Sequence, residues 1–319
     1  MTKFPIQYKN GNTTVTIHSN GTKIREWPDN ETSFSELPES CDLKITQYCD
    51  LGDKYDDEGK LVARSKTCEF CHEMSNNKGK HGDLKKIWEI WKNAPQGSEL
   101  AIGGGNPLDH PDLEWFLRQL STVSVIPNIT VNGYHMLRYS EQIKALQKEK
   151  LIYGLGVSYR GQKSLNILPT DIDYSNAVFH VILGVHTYDD CRAIIKWCRD
   201  NGIAPKILLL GYKRYGNGSA YFSPEVAQSL ENWKRHILFL LTKEGVTISF
   251  DNLALDQLSV KNILDKQTWA DLFQGEDGSH TFFLDAVEEK YAKSSTSSIR
   301  GNLDSLKKMF ANVRNNTII

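Results

Sequence analysis

Three cysteines are the residues best suited to chemistry: Cys49, and the close pair in Cys68-Glu69-Phe70-Cys71. Cys49 ends an apolar, strand-like stretch, Leu43-Lys44-Ile45-Thr46-Gln47-Tyr48. Further along comes a glycine run, Gly103-Gly104-Gly105, followed by Asn106-Pro107. Thiolate sulfur is the usual ligand of both iron–sulfur clusters and structural zinc. Three thiolates hold three irons of a four-iron, four-sulfur cluster and leave the fourth iron open. Zinc closes on four ligands, so His72 or Cys41 would have to complete the set. A zinc ribbon offers two C-x-x-C knuckles, and this chain has one. Bare glycine backbone lets a ligand come close, although turns use glycine as well.

Alternating elements must position these residues. Strand-like stretches fall at 42–48, 99–103, 128–131, 152–158, 177–185 and 205–211. Helical spacing of apolar residues predicts helices over 84–94, 112–120, 141–150, 189–201 and 224–243. Strand and helix in alternation imply a parallel sheet, open or curled into a partial (β/α)6 barrel of the TIM type. Ligands in such sheets bind at the carboxyl ends of the strands. Cys49 follows the first strand, Gly104-Gly105-Asn106-Pro107 the second and Asn132-Gly133 the third. Ser158-Tyr159-Arg160 follows the fourth, His186 the fifth and Gly211-Tyr212-Lys213 the sixth. That coincidence argues for one shared site, and a substrate site there disfavours zinc.

The residues 40 to 215 resemble the radical S-adenosylmethionine superfamily. The matching residues are Cys49, then Cys68-Glu69-Phe70-Cys71-His72-Glu73, then Gly103-Gly104-Gly105-Asn106-Pro107-Leu108 with His110-Pro111-Asp112-Leu113, then Asn132-Gly133. The superfamily's cysteine loop is C-x3-C-x2-C. Here residues 53–67 read as an insert, a short hairpin with the turn Asp57-Glu58-Gly59. The usual Gly-Gly-Glu-Pro is Gly104-Gly105-Asn106-Pro107 in this chain, a variant similar to uncharacterised bacterial and phage members.

The resemblance implies that Cys49, Cys68 and Cys71 bind a [4Fe-4S] cluster whose open iron is chelated by S-adenosylmethionine. A reduced cluster would break the sulfonium carbon–sulfur bond, giving methionine and a 5′-deoxyadenosyl radical that abstracts hydrogen from substrate. It also implies cofactor contacts from Phe70 near the adenine, from Gly104, Gly105 and Asn106 at the methionine amine, from Asn132, from Ser158 at the ribose or carboxylate, and from Gly184 along the adenine. His72, Glu73, Tyr159 and Lys213 are candidate substrate contacts. Each has a plain structural alternative: a helix cap for His72 and Glu73, a solvated loop for Lys213. His186 fits a surface histidine better than a catalyst. An electron donor such as flavodoxin or ferredoxin is the implied partner.

The remaining segments flank this unit. Residues 1–38 read as an N-terminal hairpin, with strands at 14–18 and 22–27 and a turn at Ser19-Asn20-Gly21. Residues 39–245 form the barrel. Residues 246–319, with strands near 246–250 and 281–285, read as an extension that closes the barrel's open edge or covers its mouth. Net charge is −1, so no global basic field draws the chain to nucleic acid or anionic membrane. No stretch reaches the run of about 20 apolar residues that spans a bilayer. The N-terminal residues lack an apolar signal core, so a cytoplasmic location is expected. Six cysteines in that setting argue against a disulfide framework. Cys191 and Cys198 share a helical face and read as core. No cysteine follows Cys198, so a second cluster is not expected. A small-molecule substrate, such as a modified nucleoside or nucleotide, suits the near-neutral charge better than long nucleic acid. The alternatives are a peptide- or protein-modifying enzyme of the same superfamily, a zinc-stabilised binding module, and a cluster-free barrel hydrolase.

Overall fold

The N-terminal stretch alternates apolar and polar residues and forms three strands: β1 (Ile6–Asn10), β2 (Thr13–Ile17) and β3 (Lys23–Glu26). The structure, a computed structural model, describes residues 5–19, 21–51, 54–55, 61–63, 68–273 and 275–318. β2 pairs antiparallel with both neighbours, so the expected hairpin is a three-stranded sheet. The extra strand is joined through Gly11, whose φ of 65° suits the tight turn. Asn20, in the second turn, lies outside the described residues.

This small sheet sits at the bottom of the barrel. Ile6, Val15 and Ile17 pack on Ile126, the first residue of a barrel strand. Beside them Arg25 and Lys23 reach Glu39 and Glu99, at the starts of two more strands.

The barrel strands are β4 (Ser40–Thr46), then, past a short antiparallel pair β5 (Lys54–Tyr55) and β6 (Leu61–Ala63), β7 (Glu99–Gly104), β8 (Ile126–Asn132), β9 (Gly154–Ser158), β10 (Ala177–Ile182) and β11 (Lys206–Leu210). The β5–β6 pair falls in the expected insert hairpin, whose turn at Asp57-Glu58-Gly59 lies outside the described residues. Neighbouring barrel strands pair in parallel throughout. Helices α1 (Leu84–Trp91), α2 (Leu113–Thr122), α3 (Gly133–Arg138), α4 (Ser140–Lys148), α5 (Gln162–Asn166), α6 (Tyr188–Asp200), α7 (Asn217–Tyr221) and α8 (Pro224–Leu241) connect them. Local signals fix the helix starts: Asp83 caps α1, and a Thr187–Asp190 capping box opens α6.

Period-two alternation separates two faces of the sheet. Leu43, Ile45, Leu100, Ile102, Ile129, Val131, Leu155, Val157, Phe179, Val181, Ile207 and Leu209 are buried in one core with Leu84, Trp91, Phe116 and Ile194 from the helices. Asp42, Lys44, Asn128, Thr130, Asn132, Ser158 and His180 occupy the intervening positions and face the barrel interior. Cys41, Cys191 and Cys198 are buried in the core.

The C-terminal segment is built into the same sheet. It contains α9 (Asn252–Leu258), α10 (Lys266–Leu272) and α11 (Leu306–Arg314), and strands β12 (Thr247–Phe250), β13 (Thr281–Asp285), β14 (Lys290–Ala292) and β15 (Gly301–Asn302). β12 extends the β11 edge in parallel, and β13 pairs in parallel with β4 at the opposite edge. The sheet runs β12-β11-β10-β9-β8-β7-β4-β13-β14-β15 and is an open, partial barrel. Asn252 donates to Asp277 at 2.7 Å, drawing the segments next to β12 and β13 together. Among the described residues no helix is long and apolar enough to cross a membrane.

Candidate active site

The strands deliver their last residues to one end of the barrel. Backbone hydrogen bonds hold the cysteine loop there. Cys49 N–H donates to Asn76 O at 2.9 Å, and Tyr48 bridges to Asn76. Cys71 N–H donates to Cys68 O at 3.0 Å, closing a turn around Phe70. From across the barrel, Asn217 clamps that turn through N–H to Cys71 O and through its amide to Cys68 O, both at 3.1 Å.

All three thiols are partly buried. They lie near enough for their charges to act on one another. The Cys49 thiol is pushed up to about 12, chiefly by burial, with Cys71 and Cys68 adding to the rise. Burial also raises Cys68, and Arg160 opposes that rise with its guanidinium 2.9 Å from the sulfur. Among the described residues no three His, Cys, Asp or Glu side chains converge on a point that would hold a single metal ion. Cys41 does not join the group: it sits near the start of β4, whereas Cys49 follows its end.

The glycine segment is zipped to the same loop. Gly105 N–H donates to Thr46 O and Asn106 N–H to Tyr48 O, each at 2.7 Å. Tyr48 O belongs to the peptide that leads directly into Cys49. A Cβ at Gly105 would stand 1.9 Å from Tyr48 O, and one at Gly104 2.3 Å from Thr46 O. Gly104 also has a φ of 112°. These two glycines are therefore required by backbone contact. At Gly103 a Cβ would meet nothing. Gly105→Ala is expected to push this segment off the peptide before Cys49 and to lower bound iron after reconstitution, with Gly103→Ala keeping it. Iron per chain, measured colorimetrically, checks this.

Asn106 is 1% exposed. Its side-chain N–H donates to Asp109 Oδ2 at 2.8 Å, while its Oδ1 meets no donor among the described residues. The other Asp109 oxygen accepts the Tyr139 hydroxyl.

Asn132, Ser158 and His180 are register partners across β8, β9 and β10, so they line one row of the interior. Asn132 also caps α3, its Oδ1 accepting Tyr134 N–H. His180 is held down at about 4 by burial, and the missing side chain of Gly156 makes room for its ring.

The other candidates are placed as follows. Phe70 carries the Arg160 guanidinium 4.4 Å over its ring and meets His186 and Tyr221 edge-on. Gly184 takes a φ of 81°, and its bare α-carbon admits Val226 and Leu230 of α8, which accounts for the glycine by packing. Tyr159 is buried and donates to Asp190 at 2.7 Å. His186 is not on the surface: it is 6% exposed, and its Nδ1 accepts Ile182 N–H. Lys213 donates to Ser295 in the C-terminal segment. Glu73 is tied to His72 at 3.3 Å and to Lys44 at 2.8 Å. Burial alone would raise its carboxyl, but His72 and Lys44 hold it at about 2. Lys44 also pairs with Asp285 at 3.1 Å.

Lys44, Asp109, Tyr139, His180, Asn217 and Asp285 were missed by sequence reasoning. Lys44 and His180 carried a usable signal, since each interrupts an apolar strand at an inward position. Asp285 and Asn217 carried none, because only the tertiary fold brings them to the site.

No known family matches the chain by sequence, and no curated protein does. Solved structures do match. The chain shares its fold with SuiB. Against Streptococcus suis SuiB bound to S-adenosylmethionine the TM-score is 0.63 at 11% identity, covering 98% of this chain and 89% of that one. A second structure of Streptococcus suis SuiB gives 0.59 at 11% identity, covering 99% of this chain and 90% of that one. SuiB bound to precursor peptide SuiA gives 0.53 at 12% identity, covering 81% of this chain and 59% of that one. At these identities the likeness is one of fold.

Proposed function

We propose that this protein is a radical S-adenosylmethionine enzyme. The observation that carries the reading is the Asn106 amide oxygen, buried with no donor among the described residues, on a residue whose backbone N–H bonds the peptide that leads into Cys49. On this reading an acceptor suited to an amine lies on the segment joined to the three-thiol loop. The motif resemblance and the fold shared with an S-adenosylmethionine-bound protein support the same reading.

Cys49, Cys68 and Cys71 would hold a [4Fe-4S] cluster. The chemistry supplied there is one-electron reductive cleavage of S-adenosylmethionine to methionine and a 5′-deoxyadenosyl radical, which takes hydrogen from substrate. Asn106 accepts a hydrogen bond from the methionine amine. Arg160 keeps a positive charge beside Cys68 and braces Phe70, where the adenine is expected. Ser158 and Asn132 offer polar groups from the interior row. The Lys44–Glu73–His72 chain, whose groups are paired with one another, would contact substrate. A reduced flavodoxin or ferredoxin is the class of electron donor required.

Two substrate readings remain in play, each with its own support. The polar barrel interior, with Asn128, Thr130, Ser158 and His180, suits a small polar molecule such as a modified nucleoside or nucleotide. The fold shared with SuiB in its complex with a precursor peptide favours a peptide. Anaerobic reconstitution with iron and sulfide, then dithionite and S-adenosylmethionine, tests the reaction class. The expected product is 5′-deoxyadenosine, and its absence from a fully loaded protein overturns the proposal. Deuterium transferred from labelled nucleosides or peptides into that product separates the two substrate classes.

A further inference from the structure

We propose that the ammonium of S-adenosylmethionine is recognised by a split acceptor: the Asn106 amide oxygen supplies the hydrogen bond and the Asp109 carboxylate supplies the countercharge. Tyr139 is the positioning residue that holds the carboxylate. The inference rests on the proposed function and goes beyond it by assigning roles to Asp109 and Tyr139.

An amide side chain can present either end to a ligand, because its oxygen and nitrogen have nearly the same shape. Here the choice is forced. An ionised carboxylate only accepts hydrogen bonds, so the Asn106 nitrogen must face Asp109, at 2.8 Å. The oxygen must then point away from Asp109. That oxygen is buried without a donor, a costly state unless something donates to it. An acceptor cannot serve a carboxylate or phosphate, so the ligand group it fits is a hydroxyl, an amide N–H or an amine. The oxygen has no solvent contact, so the proposal requires this segment to shift when the ligand binds.

Charge selects among those groups. Asp109 is partly buried; it accepts from two neutral donors, the Asn106 amide and the Tyr139 hydroxyl, and its charge also acts on the His81 ring, which burial shifts towards the neutral form. Among the described residues no lysine or arginine forms an ion pair with it. The carboxylate therefore leaves negative potential that the Asn106 amide relays toward its own oxygen. A cationic amine is the group that gains from both. The arrangement also explains the departure from Gly-Gly-Glu-Pro. A glutamate at position 106 would set two carboxylates side by side, and like charges at that distance oppose each other's ionisation. In this chain the charge sits at Asp109 and a neutral side chain links it to the ligand.

A charge-swap cycle tests this, using reconstituted full-length protein and equilibrium dialysis of S-adenosylmethionine. Thermal unfolding without S-adenosylmethionine controls for folding. Asp109→Asn is expected to weaken binding about tenfold, raising KM with little change in kcat. Asn106→Glu alone also weakens it, because Asp109 remains beside the new carboxylate. The double variant, with Asn106→Glu and Asp109→Asn, restores one charge at the site and is expected within about threefold of the original affinity. A merely structural Asp109 would show no such rescue. Where Asp109→Asn fails to fold, Tyr139→Phe keeps the charge and loosens its hold, with binding expected about threefold weaker. Unchanged affinity in the folded Asp109→Asn or Tyr139→Phe protein, or a double variant as weak as its weaker parent, overturns the inference alone. A loaded protein of unaltered sequence that binds no S-adenosylmethionine overturns both this and the proposed function.

Discussion

Cys49→Ala, Cys68→Ala and Cys71→Ala proteins, reconstituted alongside the original, are expected to lack the iron–sulfur chromophore and to make no 5′-deoxyadenosine. Cys41→Ala, Cys191→Ala and Cys198→Ala are expected to keep both. The contrast follows from placement. The first three thiols share one loop system at the carboxyl end of the sheet, pinned by Asn76 and Asn217. The other three are buried in the core, away from that loop system and packed against apolar side chains. Iron and sulfide analysis with ultraviolet–visible spectra checks the series. Full iron in a Cys68→Ala, Cys71→Ala double variant would refute the ligand assignment, and unchanged activity without iron would favour hydrolytic chemistry.

The largest effect on stability is expected at the opposite end of the barrel. Glu39 is fully buried and receives Arg25 at 2.8 Å, Lys23 at 3.7 Å and His280 at 3.3 Å. Burial alone would raise its carboxyl, but hydrogen bonds from His280 and Arg25 and their positive surroundings lower it from 4.5 to about 2. Glu39→Gln keeps the shape and removes the charge, taking away the buried countercharge of the partly buried Arg25 and Lys23. The expected loss is about 3–5 kcal/mol, read from urea unfolding at pH 7. The folded carboxyl is more acidic than the unfolded one. Its contribution is therefore present above pH 4.5 and lost as the pH falls towards 2. The gap between the two proteins should narrow over that window. A gap that stays constant across it would show that Glu39 acts through packing instead.

The barrel was legible because its strands and helices carry clean two- and 3.6-residue periods. The stretches expected at 84–94, 189–201 and 224–243 are helices Leu84–Trp91, Tyr188–Asp200 and Pro224–Leu241, differing only at the ends. β12 and β13 were legible as strands, but their partners were not, because nothing local specifies pairing with β11 or β4. β1 alternates well enough, Ile6 and Tyr8 against Gln7 and Lys9, yet its short link through Gly11 hid the third strand. At the site, cysteine spacing and the glycine run marked the right loops. The side chain that fixes the orientation of Asn106 was not marked. Nothing local marks Asp109, because Tyr139, at the junction of α3 and α4, holds it only in the folded chain.

The pairing of β13 with β4 has a consequence for biosynthesis. Lys44 and Asp285 are 241 positions apart in sequence, yet they meet in adjacent strands. Until the later segment has left the ribosome, the strand that leads to Cys49 has an unpaired edge, open to association with other nascent chains. Metal loading that depends on a settled Cys49 loop should therefore follow the emergence of β13, and chains halted before residue 281 should accumulate in the insoluble fraction.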